Sequence, residues 1–170
     1  MKILSIPNEN GKMTCFWEEG ASSGKKPLII CLADKEEDAQ RDLNLLFSQA
    51  NGASVAALVV YPQTEEQIVG DWLYSLRQRE DVDENRITLT GTLSAADWVW
   101  RLGSHFPQWF AGICAVGGYG DPYEVRAMKN VPVRAYLVEE EPQIIRKGKV
   151  AVNVDQLVMS LLTAGSECVE

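Results

Sequence analysis

The segment Gly91-Thr-Leu-Ser-Ala-Ala96 sets Ser94 between small residues, in the small-x-Ser-x-small pattern that can present a hydroxyl at a sharp strand-to-helix turn. A serine placed this way supports acyl transfer only if a base takes its proton, because the neutral hydroxyl is a weak nucleophile. The chain offers one histidine, His105. At about 1.5 Å of helix rise per residue it lies roughly 18 Å beyond Leu93 on the same expected helix, against a hydrogen-bond reach of about 3 Å. Its expected role is that of a helix C-terminal residue interacting favourably with the dipole.

Other residues with chemical potential are scattered. Cys15, Cys31, Cys114 and Cys168 have no C-x-x-C spacing, and two of them fall inside apolar runs that read as strands. They are expected to be buried core thiols of a reduced, cytoplasmic protein. No cysteine stands near His105 at ligand spacing, so no metal and no cofactor is expected. Gly117-Gly-Tyr-Gly120 follows a strand-like run and raises a nucleotide-binding module as one reading. Its spacing departs from G-x-G-x-x-G, and Pro122 follows closely where a helix would have to open.

The elements that must position these residues alternate between strand and helix. Lys2 to Ile6 and Met13 to Trp17 flank Asn-Glu-Asn-Gly and read as an antiparallel hairpin. Pro27 to Leu32 and Ser54 to Tyr61 are nearly continuous apolar runs, as expected of strands covered on both faces of a parallel sheet. Between them a helix is expected, capped by Asp34 and closed near Asn51-Gly52. Thr64 with Gln67 reads as a capping box for a second helix whose inner face carries Trp72, Leu73 and Leu76. Arg86 to Gly91 is a third buried strand, Ser94 to His105 a helix, and Phe110 to Val116 and Val131 to Val138 two more strands. Asn153 to Ala164 carries apolar residues at helical spacing and reads as a final helix. The expected architecture is a three-layer α/β/α sandwich around a mostly parallel sheet with an N-terminal hairpin, as one domain over residues 1–170.

Asp83-Glu-Asn-Arg-Ile-Thr-Leu-Thr-Gly91-Thr-Leu-Ser-Ala-Ala96-Asp-Trp-Val-Trp100 resembles a segment of α/β-hydrolase esterases of the polyhydroxybutyrate-depolymerase and lysophospholipase-like type. That family reads Asp-x-Asn-Arg-Ile-Tyr-Leu-Thr-Gly-x-Ser-x-Gly-Gly. The likeness continues through Phe106-Pro-Gln-Trp-Phe-Ala111 and Asn130-Val-Pro-Val133. By ungapped count the family's nucleophile falls on Leu93, which has no atom able to attack a carbonyl. Ala95 and Ala96 take the places of two small glycines. Trp98 stands where a small residue is common, either filling substrate space or serving as a core side chain.

The resemblance places the oxyanion loop at Ala33-Asp34, where an acidic side chain would oppose developing negative charge. It places the acid near Glu141, within a run of three glutamates that also reads as a solvated turn. The family's histidine follows the last strand and has no counterpart here. The resemblance therefore implies an α/β-hydrolase-like domain with a vestigial turn at Gly91, Leu93, Ser94 and Ala96. Its expected function is binding or protein interaction, as a homo-oligomer, with a protein partner, or with a small molecule in the vestigial pocket. The competing reading is an active carboxylic-ester hydrolase using Ser94, which requires a one-residue slip in the alignment.

Composition limits the remaining classes. The chain of 170 residues carries a formal net charge of -8 with a hydrophobic share of 46%. That balance fits a packed globular domain and argues against a nucleic-acid partner, which calls for a basic face. Lys25-Lys26 is the basic pair near the start, and no apolar run approaches the roughly 18 residues of a membrane span.

Overall fold

The computed structural model describes residues 2–8, 11–21, 23–118 and 125–136. The chain opens with two paired strands, β1 (Lys2–Asn8) and β2 (Gly11–Glu18), antiparallel and in register from Lys2 opposite Trp17 to Asn8 opposite Gly11. Strand β3 (Lys26–Ala33), helix α1 (Glu36–Gln49) and strand β4 (Ser54–Val59) follow. Next come helix α2 (Glu66–Arg77), strand β5 (Val82–Thr92) and helix α3 (Ser94–His105). Strands β6 (Gly112–Val116) and β7 (Val133–Tyr136) complete the described elements, with short 3-10 turns at Pro107–Trp109 and Val125–Met128.

The strands form one sheet in the order β1-β2-β4-β3-β5-β6-β7. Its antiparallel part is β1, β2 and the β2–β4 pairing, whereas β4, β3, β5, β6 and β7 run parallel. The expected sandwich with an N-terminal hairpin is thus the observed architecture. Every residue of β4 and β6 is buried, which accounts for their unbroken apolar runs.

Two apolar layers hold the sheet between helices. On one face Leu28, Ile30, Leu58, Ile87 and Leu89 pack with α2 and α3, including Trp72, Leu73, Leu76, Val99 and Leu102. On the other face Ile29, Cys31, Val55 and Ala57 pack with Ala39, Leu43 and Leu46 of α1. Alternate residues of β3 and β4 supply the two layers, as a pleated sheet requires. Trp98 belongs to the first layer and carries the Arg101 guanidinium 5.0 Å from its ring centroid, so the structure assigns it to the core.

Two expected helix caps are corrected. Asp34 does not cap α1: the helix starts at Glu36, Lys35 holds the N-cap position without a side-chain cap, and Asp34 bonds elsewhere. The Thr64–Gln67 box does not form either, because α2 starts at Glu66. Thr64 Oγ1 instead accepts from the Tyr61 N–H at 3.0 Å, and Gln67 Nε2 donates to Asp71 Oδ1 at 2.9 Å. Strand β5 also begins four residues earlier than the expected Arg86, at Val82, since its first residue pairs with Lys26 before a register shift in the ladder. The expected helix from Asn153 to Ala164 lies outside the described residues.

Candidate functional site

Parallel strands bring their carboxyl ends to one edge of the sheet. The turns after β3, β4, β5 and β6 therefore share that edge, where open α/β sheets bind ligands. The turn after β5 is the tightest. Leu93 alone separates strand from helix, and it does so with φ 52° and ψ -123°, a conformation that is costly for a branched side chain.

Its neighbours explain how that geometry is held. The Leu93 N–H donates to the Val116 carbonyl at 2.7 Å, and its own carbonyl accepts from the Ala96 N–H at 3.0 Å. A Cβ on Gly91 would stand 2.9 Å from Val99 Cγ2 and 3.0 Å from the Ala95 carbonyl oxygen, so α3 approaches β5 only over glycine. Ala95 and Ala96 are buried for the same reason. The Leu93 side chain itself is 60% exposed. It extends outward where the resemblance places a nucleophile.

The turn after β6 closes on the same point. Gly117 and Gly118 have φ values of 69° and 72°, and a Cβ on Gly118 would come within 2.8 Å of Ala96 Cβ and Asp97 Oδ1. The Gly117 N–H is engaged by the Tyr136 carbonyl at 2.7 Å, so that amide is not free to cradle a phosphate. The two glycines serve close packing against Leu93. The sequence raised a nucleotide-binding reading for this motif and its spacing already spoke against it, but the contact with Leu93 was not foreseen; consecutive glycines directly after a buried strand were the available signal.

Ser94 opens α3, and its hydroxyl donates to Asp34 Oδ2 at 2.7 Å, sixty residues away in the chain. This bond joins the turn after β3 to the turn after β5, bringing Asp34, Leu93 and Ser94 together beside Ala33 at the end of β3. The first N–H groups of a helix have no intrahelical acceptor, so the α3 terminus also presents donors at this edge. His105 is in the last turn of α3, where its Nδ1 pairs with Glu66 Oε1 of α2. The structure thus separates the only histidine from Ser94 by the length of the helix. Glu141 lies outside the described residues.

The buried thiols Cys15, Cys31 and Cys114 are free. Burial pushes the Cys15 and Cys114 thiols up to about 12 and raises that of Cys31 as well, which suppresses the thiolate needed for nucleophilic chemistry. Cys168 lies outside the described residues. Among the described residues no group of three or more His, Cys, Asp or Glu side chains could hold a metal ion, and no helix is long and apolar enough to cross a membrane.

No protein-family model and no curated protein matches the chain. Solved structures do. A thermostable esterase superposes with a TM-score of 0.68 at 17% identity, over 98% of this chain and 51% of its own. An esterase from Pyrobaculum calidifontis gives 0.54 at 10% identity, over 77% of this chain and 52% of its own. S-formylglutathione hydrolase from Staphylococcus aureus gives 0.56 at 8% identity, over 75% and 64%. The chain spans about half the length of the two esterases.

Proposed function

We propose that this chain, which shares the α/β-hydrolase fold of those esterases, works as a binding or interaction domain that does not carry out the covalent step of ester hydrolysis. The observation that carries the reading is Leu93 at φ 52°, standing alone between β5 and α3 with its side chain 60% exposed. That position combines the backbone shape of a nucleophile turn with a side chain that has no lone pair to offer. Two further features agree with it. The Ser94 hydroxyl donates its hydrogen bond to a carboxylate rather than an imidazole, and His105 is paired with Glu66 at the other end of the helix.

The second reading is an ester hydrolase with Ser94 as nucleophile. It is favoured by the 2.7 Å bond from its exposed hydroxyl to Asp34 Oδ2. An aspartate carboxylate is a much weaker base than imidazole, and here it also places negative charge where an oxyanion would need donors.

One set of assays separates the two. A fluorophosphonate probe and a p-nitrophenyl ester series are applied to the wild type, Leu93→Ser and Ser94→Ala. The binding reading expects no labelling, no turnover above buffer, and no gain in Leu93→Ser, since restoring a hydroxyl supplies no base. Labelling at Ser94 with turnover abolished in Ser94→Ala would establish the hydrolase. Robust turnover by Leu93→Ser would reveal a base outside the groups named above.

A further inference from the structure

Glu66, Gly70, Tyr74 and Arg77 follow one another a turn apart along α2, and the connection from α3 to β6 lies along that stripe. His105 Nδ1 pairs with Glu66 Oε1. A Cβ on Gly70 would stand 3.3 Å from the Phe106 ring, which places the ring close over the helix. Trp109 meets Tyr74 at 6.2 Å between ring centroids and carries the Arg77 guanidinium 5.3 Å from its own centroid. Phe106 and Trp109 stack on each other at 4.2 Å. The contacts therefore run in chain order on both sides, from 105 to 109 and from 66 to 77.

The pair at the head of this series differs in kind from the aromatic contacts behind it. His105 is the one histidine of the chain, and histidine is the side chain whose ordinary charge change falls between pH 5 and 8. Each partner also stands where a helix dipole favours its charged form, Glu66 in the first turn of α2 and His105 in the last turn of α3. Their side chains are 30% and 44% exposed, so a proton reaches the imidazole without any opening of the fold.

The other charges on these elements are engaged elsewhere or stand apart. Asp71 accepts from Gln67 at 2.9 Å, Arg77 pairs with Glu84 at 3.4 Å, and Arg101, one turn before His105, lies over Trp98. Glu65 immediately precedes α2, and Asp97 is in the opposite end turn of α3. The turn Pro107–Trp109 carries no titratable side chain.

We propose that Glu66 and His105 form a pH-sensitive latch. With His105 protonated, the ion pair clamps the connection at residues 105–109 onto α2; when the imidazole loses its proton, the connection loosens from that end. An exposed ion pair is too weak to hold the fold, so the device acts on this contact and not on the molecule as a whole. It is independent of either reading of the Leu93 turn.

The test is a titration of isotopically labelled protein from pH 5.5 to 8.5. The Cε1 proton of His105, a single signal in this chain, reports the proton, and the nuclear Overhauser contact between the Tyr74 and Trp109 rings reports the clamp at its far end. That contact is expected to weaken about twofold as pH rises, with the midpoint of the His105 signal, a modest change in keeping with an exposed pair. Glu66→Gln keeps a hydrogen-bonding side chain and removes the charge. There His105 should still titrate while the Tyr74–Trp109 contact stays level, and His105→Gln should abolish the transition.

A ring contact that stays constant in the wild type while His105 titrates would overturn the latch and leave the pair as a local surface contact. So would a transition that survives in Glu66→Gln. The wild-type titration decides by itself if either variant fails to fold.

Discussion

At the scale of the residue, Leu93 pairs an exposed apolar side chain with a backbone that glycine would adopt at no steric cost. Exposure means that little packing is lost on truncation, so the strain dominates the balance. Leu93→Gly is therefore expected to stabilise the fold by about 1 kcal/mol, measured by urea denaturation. A loss of stability would show that the side chain makes contacts worth more than the strain. The position of Ser94 at the head of α3 was legible in the sequence, because small residues cluster around it. Its partner was not. Asp34 looked like a local helix cap, and nothing along the chain signals a hydrogen bond to a residue sixty positions away.

At the scale of the element, the docking of α3 depends on glycines whose neighbours differ in kind. A Cβ on Gly91 meets the Ala95 backbone oxygen at 3.0 Å, and the helix would have to move. A Cβ on Gly103 meets Met128 Sδ at 2.8 Å and Ile113 Cδ1 at 3.0 Å, both at the ends of side chains that can rotate. Alanine also gains about 1 kcal/mol over glycine inside a helix, which Gly103 can realise. Gly91→Ala should thus cost about 2–3 kcal/mol, and Gly103→Ala less than about 1 kcal/mol, by the same denaturation assay. Equal losses would mean that the two contacts are equally rigid. The strands were readable because burial on both faces leaves continuous apolar runs. The starts of α1 and α2 were not, since Asp34 and Thr64 each found another partner.

At the scale of the molecule, three free thiols lie inside the two apolar layers. In the unfolded chain a cysteine ionises near pH 8.5, whereas burial holds Cys15 and Cys114 as thiols up to about 12 and raises the Cys31 thiol as well. A raised folded value gives stability that is complete below the unfolded value and declines as pH rises toward the folded one. Stability should consequently fall above about pH 8.5, each thiol contributing about 1 kcal/mol per pH unit. Denaturation midpoints measured from pH 7.5 to 10 for wild type and Cys114→Ala test this. A variant that declines as steeply as wild type would remove that thiol from the account.

The sequence by itself determined the alternation of strand and helix, the mostly parallel sheet with its N-terminal hairpin, and the turn in which Leu93 precedes Ser94. Those properties follow from local patterns, namely apolar continuity, small residues beside a sharp turn, and turn residues between runs. The tertiary structure alone decided that Asp34 bonds Ser94 instead of capping α1, that Gly117 and Gly118 close against Leu93, and that His105 pairs with Glu66. Each of these joins residues carried by different elements. Their meeting depends on how the sheet orders its strands and on which edge their ends share, and no local pattern records that.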